Sequence, residues 1–197
     1  MTARPFPPAD IATREPIIEI VATGTEMCRF YSNSHGSIYF AMDAAGRLNA
    51  PDGSYGTLYA ARAADGAFAE IFLRNVGMTA LNPVMVGAKG MVRIAALKDL
   101  RFACLYGPGL SILGATAEVT HSSITAYDLS QAWSKAIYDH PADVDGIAYR
   151  SRHDDNEICY AIFDRAQLKI KVSREQADLD EEWFWELLVK YKVGFLS

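Results

Sequence analysis

The chain has little that would mark it as secreted, metal-bound or membrane-embedded. Its 197 residues hold three cysteines, Cys28, Cys104 and Cys159, spaced far apart and odd in number. They form no C-x-x-C pair, so neither a disulfide framework nor a zinc knuckle is read from them. Each lies among apolar residues, as buried reduced thiols of a cytoplasmic protein do. Four histidines follow no zinc spacing, so no metal site is expected. No apolar run is long enough to span a bilayer. The N-terminus carries Arg4 and three prolines where a secretory signal would have an apolar core. Positive charge is not in excess: the formal net charge is −5, against direct nucleic-acid binding, which needs a basic face. A G-x-G-x-x-G dinucleotide cradle is absent, and so are the glycines of a nucleophile elbow around Ser151.

What remains is an ordinary globular composition, half apolar, in a length that suits one domain with a full core. Pro5, Pro7 and Pro8 predict an extended arm over residues 1–15, ahead of a single domain over 16–197. Short β-like runs dominate: Pro16–Val21, Met27–Tyr31, Ile38–Phe40, Met91–Leu97, Leu100–Tyr106, Ile147–Tyr149, Ile158–Phe163 and Leu168–Val172. Residues 76–90, with three glycines and a proline, read as a loop. Residues 116–125 form a thin Ser/Thr-rich passage after a helical turn at Leu110–Leu113. Helices are expected over Ala64–Asn75, over Thr125–Asp139 and over 179–191. In the second, Thr125 and Asp128 make a capping box, and Leu129, Trp133 and Ile137 share one face. The third carries an aromatic stripe from Trp183 to Tyr191. It is expected to dock on its own domain and is a candidate surface for a homo-oligomer. The sum is an α+β protein with a mostly antiparallel core.

One stretch concentrates chemistry. Gly46-Arg47-Leu48-Asn49 is a turn bearing a cation, Ala50–Gly56 is a loop, Thr57–Ala61 is a strand bearing Tyr59, and the next helix carries Glu70 among apolar residues. Each has an ordinary alternative: a solvated arginine, a core tyrosine, a glutamate at the margin of a helix face. Taken together, a guanidinium fork matches phosphate, a phenol offers a stacking face, and a carboxylate holds sugar hydroxyls and developing positive charge. Arg29, in the middle of the Met27–Tyr31 strand, adds a second cation. Ser151 stands at the tip of the Ile147–Tyr149 strand.

These pieces resemble, in order and spacing, the RES domain family, the toxin half of RES–Xre toxin–antitoxin pairs. The resemblance rests on Cys28-Arg29-Phe30-Tyr31, Gly46-Arg47-Leu48-Asn49, Leu58-Tyr59-Ala60-Ala61, Ala69-Glu70 and Gly146-Ile147-Ala148-Tyr149-Arg150-Ser151, and spans about residues 25–165. Leu48 stands where the family usually has an aromatic, and Arg150 where proline is common. The resemblance implies an ADP-ribosyltransferase-like fold, with two small, mostly antiparallel sheets, flanking helices and an NAD cleft. It implies cleavage of the nicotinamide–ribose bond of NAD, as a glycohydrolase with water or a phosphorylase with inorganic phosphate. A protein ADP-ribosyltransferase, or a nucleotide- or protein-binding module without turnover, are the alternatives. NAD would be substrate rather than bound cofactor. In this scheme Arg29 and Arg47 bind phosphates, Tyr59 stacks on nicotinamide, Glu70 supports the ribose, and Ser151 orients the carboxamide or ribose. The implied partner is an Xre-like helix-turn-helix antitoxin.

Overall fold

The computed structural model describes residues 4–74, 77, 79–123 and 127–196. In chain order the elements are β1 (Ile18–Val21), β2 (Glu26–Ser32), β3 (Thr57–Ala61), α1 (Ala64–Phe72), β4 (Ala80–Leu81), α2 (Pro83–Gly87), β5 (Lys89–Ala96) and β6 (Leu100–Cys104). There follow α3 (Pro108–Leu113), α4 (Glu118–His121), α5 (Tyr127–Tyr138), β7 (Gly146–Arg150), β8 (Ile158–Phe163), β9 (Ile170–Gln176), α6 (Glu182–Tyr191) and β10 (Gly194–Phe195).

Eight strands form one sheet in the order β1-β6-β7-β8-β3-β2-β5-β9, and β10 pairs with β4 in a two-stranded ribbon. Within the large sheet every pairing is antiparallel except β6 with β7. The expectation of two small packed sheets is therefore corrected to one large sheet, and the register shows why the two descriptions lie close. β2 pairs with β5 over its whole length, and β3 does the same with β8, but β2 and β3 share a single registered pair, Cys28 with Ala61. Beyond that pair the strands diverge. The sheet is continuous at one point and split on one side of it.

Both faces are buried. One carries Phe30, Tyr149, Cys159 and Ala161 under Phe68 and Phe72 of α1, Trp133 of α5 and Phe184 of α6. The other packs Leu58, Val92, Ile94, Phe102, Tyr160 and Ile162. Alternation along β2, β3 and β8 sends successive side chains to opposite cores. α6 docks through its aromatic stripe: Phe184 meets Phe30, Phe68 and Phe72, and Tyr191 stacks on Phe68. Lys190 adds an ion pair to Asp65 in the first turn of α1. The N-terminal segment lies on α5 and its exit: Trp133 Nε1 donates to the Pro5 carbonyl at 2.6 Å, and Arg4 pairs with Asp128 at 2.8 Å.

Several local expectations are revised. Ile38–Phe40 forms no strand; the extended chain next to it makes only an isolated bridge, Ala41 to Thr57. Residues 76–90, expected as loop, hold β4, α2 and the start of β5. α2 is set by local chemistry: Asn82 accepts from the Val84 N–H at 2.8 Å, and Pro83 takes the first helical position, where no N–H is needed. The Ser/Thr-rich passage contains α4, with Thr120 and Ser122 buried. β9 begins at Ile170, since Asp164–Lys169 is a 3-10 turn. Helix α1 ends at Phe72, earlier than expected. The cap expected at Thr125 lies outside the described residues, and Asp128 is engaged by Arg4.

Candidate active site

The split in the sheet opens a cleft of about 220 Å³. β2 and β3 wall it, α1 lies along one side, and the 46–49 turn closes one end. Four of the five residues singled out in the sequence, Arg29, Arg47, Tyr59 and Glu70, line this one cavity. Ser151 sits behind it, fully buried, bonded to Glu70.

Arg29 occupies the gap where the β2–β3 ladder stops. Its Nη1 donates to the Tyr59 carbonyl at 2.8 Å, while its Nε is buried without a partner. Burial pushes this guanidinium down to about 10. Such a cation is costly where it is, and an anion in the cleft would relieve both the lost hydration and the orphaned donor.

Arg47 is carried by a turn fastened from three sides. Asn49 Nδ2 donates to the Asp43 carbonyl at 2.7 Å. From α5, Gln131 Nε2 donates to the Ala44 and Gly46 carbonyls, and Ser134 Oγ to that of Leu48. From β3, the Tyr59 hydroxyl accepts from the Leu48 N–H and donates to Asn49 Oδ1, each at 2.8 Å. Gly46 permits this closeness, because a Cβ there would stand 2.2 Å from Asn49 Oδ1 and 2.7 Å from the Tyr59 hydroxyl. Leu48 is wholly buried and fills a core position, so an aliphatic side chain serves there. Arg47 Nη1 donates to the Thr120 carbonyl at 2.6 Å, and its Nε is buried and unpartnered, like that of Arg29.

Tyr59 thus spends its hydroxyl on the turn and keeps its ring on the cleft. Burial pushes the phenol up, so it stays protonated. Glu70 is held from behind. Ser151 Oγ donates to its Oε1 at 2.7 Å and the Arg152 N–H at 3.1 Å. Both bonds fall on Oε1; among the described residues Oε2 carries none. Ser151 Oγ in turn accepts from the His153 N–H at 3.2 Å. The Arg152 guanidinium turns away to the Ser122 carbonyl at 3.2 Å. The segment 118–122 therefore clamps Arg47 and Arg152 through two backbone carbonyls. Arg150 is exposed and lies over the Tyr106 ring at 5.6 Å, so its charge does not enter the cleft.

Burial holds the His153 imidazole below its ordinary range; Glu70 opposes this, and Arg152, Arg47 and Arg74 add to it. The thiol of Cys159, on the cleft wall, is pushed well up by burial and the nearby carboxylates, so it is no nucleophile. Arg74, Lys89 and Tyr127 also line the cleft and were not singled out in the sequence. Arg74 had a signal, standing four residues past Glu70, the spacing of one helix face. Lys89 had none: only the register that sets it opposite Ser32 of β2 brings it here.

The arrangement offers a carboxylate with one oxygen free, two half-satisfied guanidinium groups and an aromatic face, around a cavity between apolar walls. No helix among the described residues is long and apolar enough to cross a membrane. No curated protein matches the sequence significantly. The fold is similar to that of a chain in the crystal structure of the M. tuberculosis MbcT–MbcA toxin–antitoxin complex, with a TM-score of 0.65 over 86% of this chain and 92% of that one. At 13% identity that likeness speaks for the fold. The sequence itself speaks for the family: the RES domain model matches residues 26–185, four fifths of the chain and every residue of the cleft just described, and the chain belongs to the RES domain family.

Proposed function

We propose that this protein cleaves the nicotinamide–ribose bond of NAD as the toxin of a toxin–antitoxin pair. The observation that carries the reading is the pose of Glu70, fixed through one oxygen by Ser151 and Arg152 with the other free, in the same cleft as the orphaned Nε groups of Arg29 and Arg47. As the C–N bond of NAD breaks, the pair of electrons leaves with nicotinamide and positive charge grows on the ribose, an oxocarbenium-like state. Nicotinamide departs neutral, so no general acid is required. A carboxylate already oriented costs no reorganisation when that charge appears. Glu70 Oε2 stabilises it and holds ribose hydroxyls, Tyr59 offers its ring to the nicotinamide, and the arginines take the phosphates. Ser151 acts by holding Glu70.

The acceptor closes the balance. Water adds its oxygen to the anomeric carbon and releases a proton, giving ADP-ribose. Inorganic phosphate adds an oxygen in the same way, giving a ribose phosphate ester. Arg47, beside Glu70, suits phosphate as acceptor by its fork of donors. Transfer to a protein side chain is the second outcome of the same chemistry. The partner in this reading is an antitoxin that covers the cleft. The MbcT–MbcA complex, one chain of which is similar in fold, is a toxin–antitoxin complex, and an Xre-like helix-turn-helix protein is the type of partner proposed here. Its setting is the cytoplasm, where the three buried free cysteines would stay reduced.

The test is NAD loss by the purified, antitoxin-free protein, with and without inorganic phosphate, beside Glu70→Gln. Loss abolished by that variant establishes the enzyme, and phosphate dependence separates phosphorolysis from hydrolysis. A folded protein that consumes no NAD under either condition and modifies no protein would leave a binding module.

A further inference from the structure

The scheme above leaves two cations of the cleft without a task. Arg74 follows the end of α1, and Lys89 opens β5. Cross-strand register sets Lys89 opposite Ser32 and Gly90 opposite Tyr31, so Lys89 lies three residues along the β2 ladder from Arg29. Gly90 matters here: a Cβ would stand 2.6 Å from Tyr31 Cζ, so glycine lets the ring lie across β5 beside Lys89. Lys89 feels both arginines. Burial lowers the Lys89 ammonium, and Arg74 and then Arg29 lower it further.

Outside the cleft many cations are paired with acids, as in Arg62 with Glu19, Arg165 with Asp143, Lys169 with Asp145 and Lys190 with Asp65, and unpaired ones such as Arg150, Lys171 and Arg174 are exposed to water. Among the described residues Arg29, Arg74 and Lys89 have no acidic partner, and Arg29 Nε is buried and orphaned beside them. Three unpaired cations around one cavity of an acidic protein repel one another and await a polyanion. Arg47 acts on Tyr149, Cys159 and His153, around Glu70, and Arg74 reaches His153 as well, so Arg74 stands between that end of the cleft and Lys89.

We propose that Arg29, Arg74 and Lys89 form a phosphate subsite that adjoins the Arg47–Glu70 end of the cleft through Arg74, with Arg74 and Lys89 as its specificity-determining residues. This rests on the reading that the cleft takes a phosphate-bearing nucleotide, and it assigns the diphosphate to one end and the reacting ribose to the other. Phosphate oxygens are the shared chemistry. They can come from the dinucleotide or from free inorganic phosphate, and the arms of the experiment separate these.

Titration calorimetry on the full chain would use ADP-ribose and inorganic phosphate as probes, with wild type, Lys89→Met, Arg74→Gln, the double variant and Lys89→Arg. Thermal melts confirm that each is folded. Each single variant should weaken ADP-ribose about ten-fold, the worth of one charge-assisted contact, and Lys89→Arg should recover most of it. Weakened phosphate binding with ADP-ribose unchanged would keep the subsite and assign it to the free anion. Unchanged affinity for both probes in the folded double variant, or no binding of either by the wild type, overturns it. NAD consumption by the same proteins separates the two proposals. Lys89-dependent ADP-ribose binding without turnover keeps the subsite and sinks the reaction. Turnover with the KM for NAD and the KM for phosphate both unchanged in the double variant keeps the reaction and sinks the subsite.

Discussion

The two faces of the sheet carry the same ingredients with opposite outcomes. On the face away from α1, Glu19 of β1 accepts from the Tyr106 and Tyr160 hydroxyls, each at 2.6 Å, and from Arg62 at 2.8 Å. Burial pushes the Glu19 carboxyl up, but the bonds from Tyr106, Tyr160 and Arg62 outweigh it and hold the group below its ordinary range. Arg62 Nε also reaches the Tyr160 hydroxyl, at 3.4 Å, and the set is closed on itself. In the cleft, among the described residues, Glu70 has partners on one oxygen only, and Arg29 and Arg47 each keep a buried donor without an acceptor. A satisfied network stabilises a fold; a half-satisfied one is tolerated where a ligand completes it. The carboxylate and its arginine do not mark the site by being present. The unfilled bonds do.

The sharpest way to break this contrast is to exchange the roles of the two glutamates. Glu70→Gln keeps an acceptor for Ser151 and Arg152 but removes the charge. It should cost roughly 10²–10³-fold in NAD turnover, the scale of one lost electrostatic stabiliser. Its melting temperature should stay within a few degrees of wild type. Glu19→Ala should do the reverse, lowering stability by about 2–3 kcal/mol through the stranded phenols and guanidinium, roughly 5–10 °C in a chain of this size. Turnover per folded molecule should hold. Equal loss of activity in both, measured at matched folded fractions, would erase the distinction.

Arg29 sharpens it further, because its cost and its use can be separated. Burial brings the Arg29 guanidinium down from its ordinary value to about 10, worth about 3 kcal/mol against the fold at neutral pH. The folded state binds its proton less tightly, so that cost is full below the folded value and is relieved as pH rises from there toward the ordinary one. Arg29→Met removes the cost but strands the Tyr59 carbonyl, which forfeits about 1–3 kcal/mol. The two nearly cancel. The variant should melt within a few degrees of wild type while losing about ten-fold or more in affinity for ADP-ribose. A large fall in stability would show Arg29 to be structural after all.

How much of this was legible in the sequence follows the same line. β8 was visible as a continuous apolar run, buried on both faces, and α5 because its burial repeats with the helical period. The five side chains were visible because their types and order are chemically unusual together. Their convergence was not, since it depends on β2 and β3 parting after one pair, and no residue announces that. Ser151 was expected to face the ligand; it is fully buried behind Glu70, because β7 ends there with its hydroxyl turned toward α1. The clamp at Thr120 and Ser122 was missed because it uses backbone carbonyls, which every residue has. Lys89 was missed because its neighbours are across the sheet.

Tyr59→Phe tests which half of that residue matters, at a smaller scale. The ring stays, while the bonds to the Leu48 N–H and Asn49 Oδ1 are lost. Stability should fall by about 1–2 kcal/mol. If the hydroxyl positions Arg47 through its turn, the KM for NAD should rise several-fold with kcat little changed. If only the stacking face counts, turnover kinetics should match wild type despite the lower melting temperature.

The smallest expected effect comes from His153, whose charge state reports on the cleft. Burial lowers its value below 6.5; Glu70 opposes, and Arg152, Arg47 and Arg74 reinforce. Between the lowered folded value and 6.5 the unfolded chain binds more protons than the folded one, so stability rises with pH there. The contribution is complete above about 6.5 and is lost as pH falls through the folded value. Because the group is only half-buried, solvent screening keeps the effect under about 1 kcal/mol. His153→Gln should therefore lose slightly less stability than wild type between pH 7 and pH 5 in denaturant titrations. An anion bound among Arg47 and Arg74 offsets the very charges that depress the imidazole, so saturating phosphate should bring the two proteins together. Among the described residues the Glu19 network includes no histidine, and a difference that phosphate leaves untouched would mean that His153 senses burial alone and not the cations of the cleft.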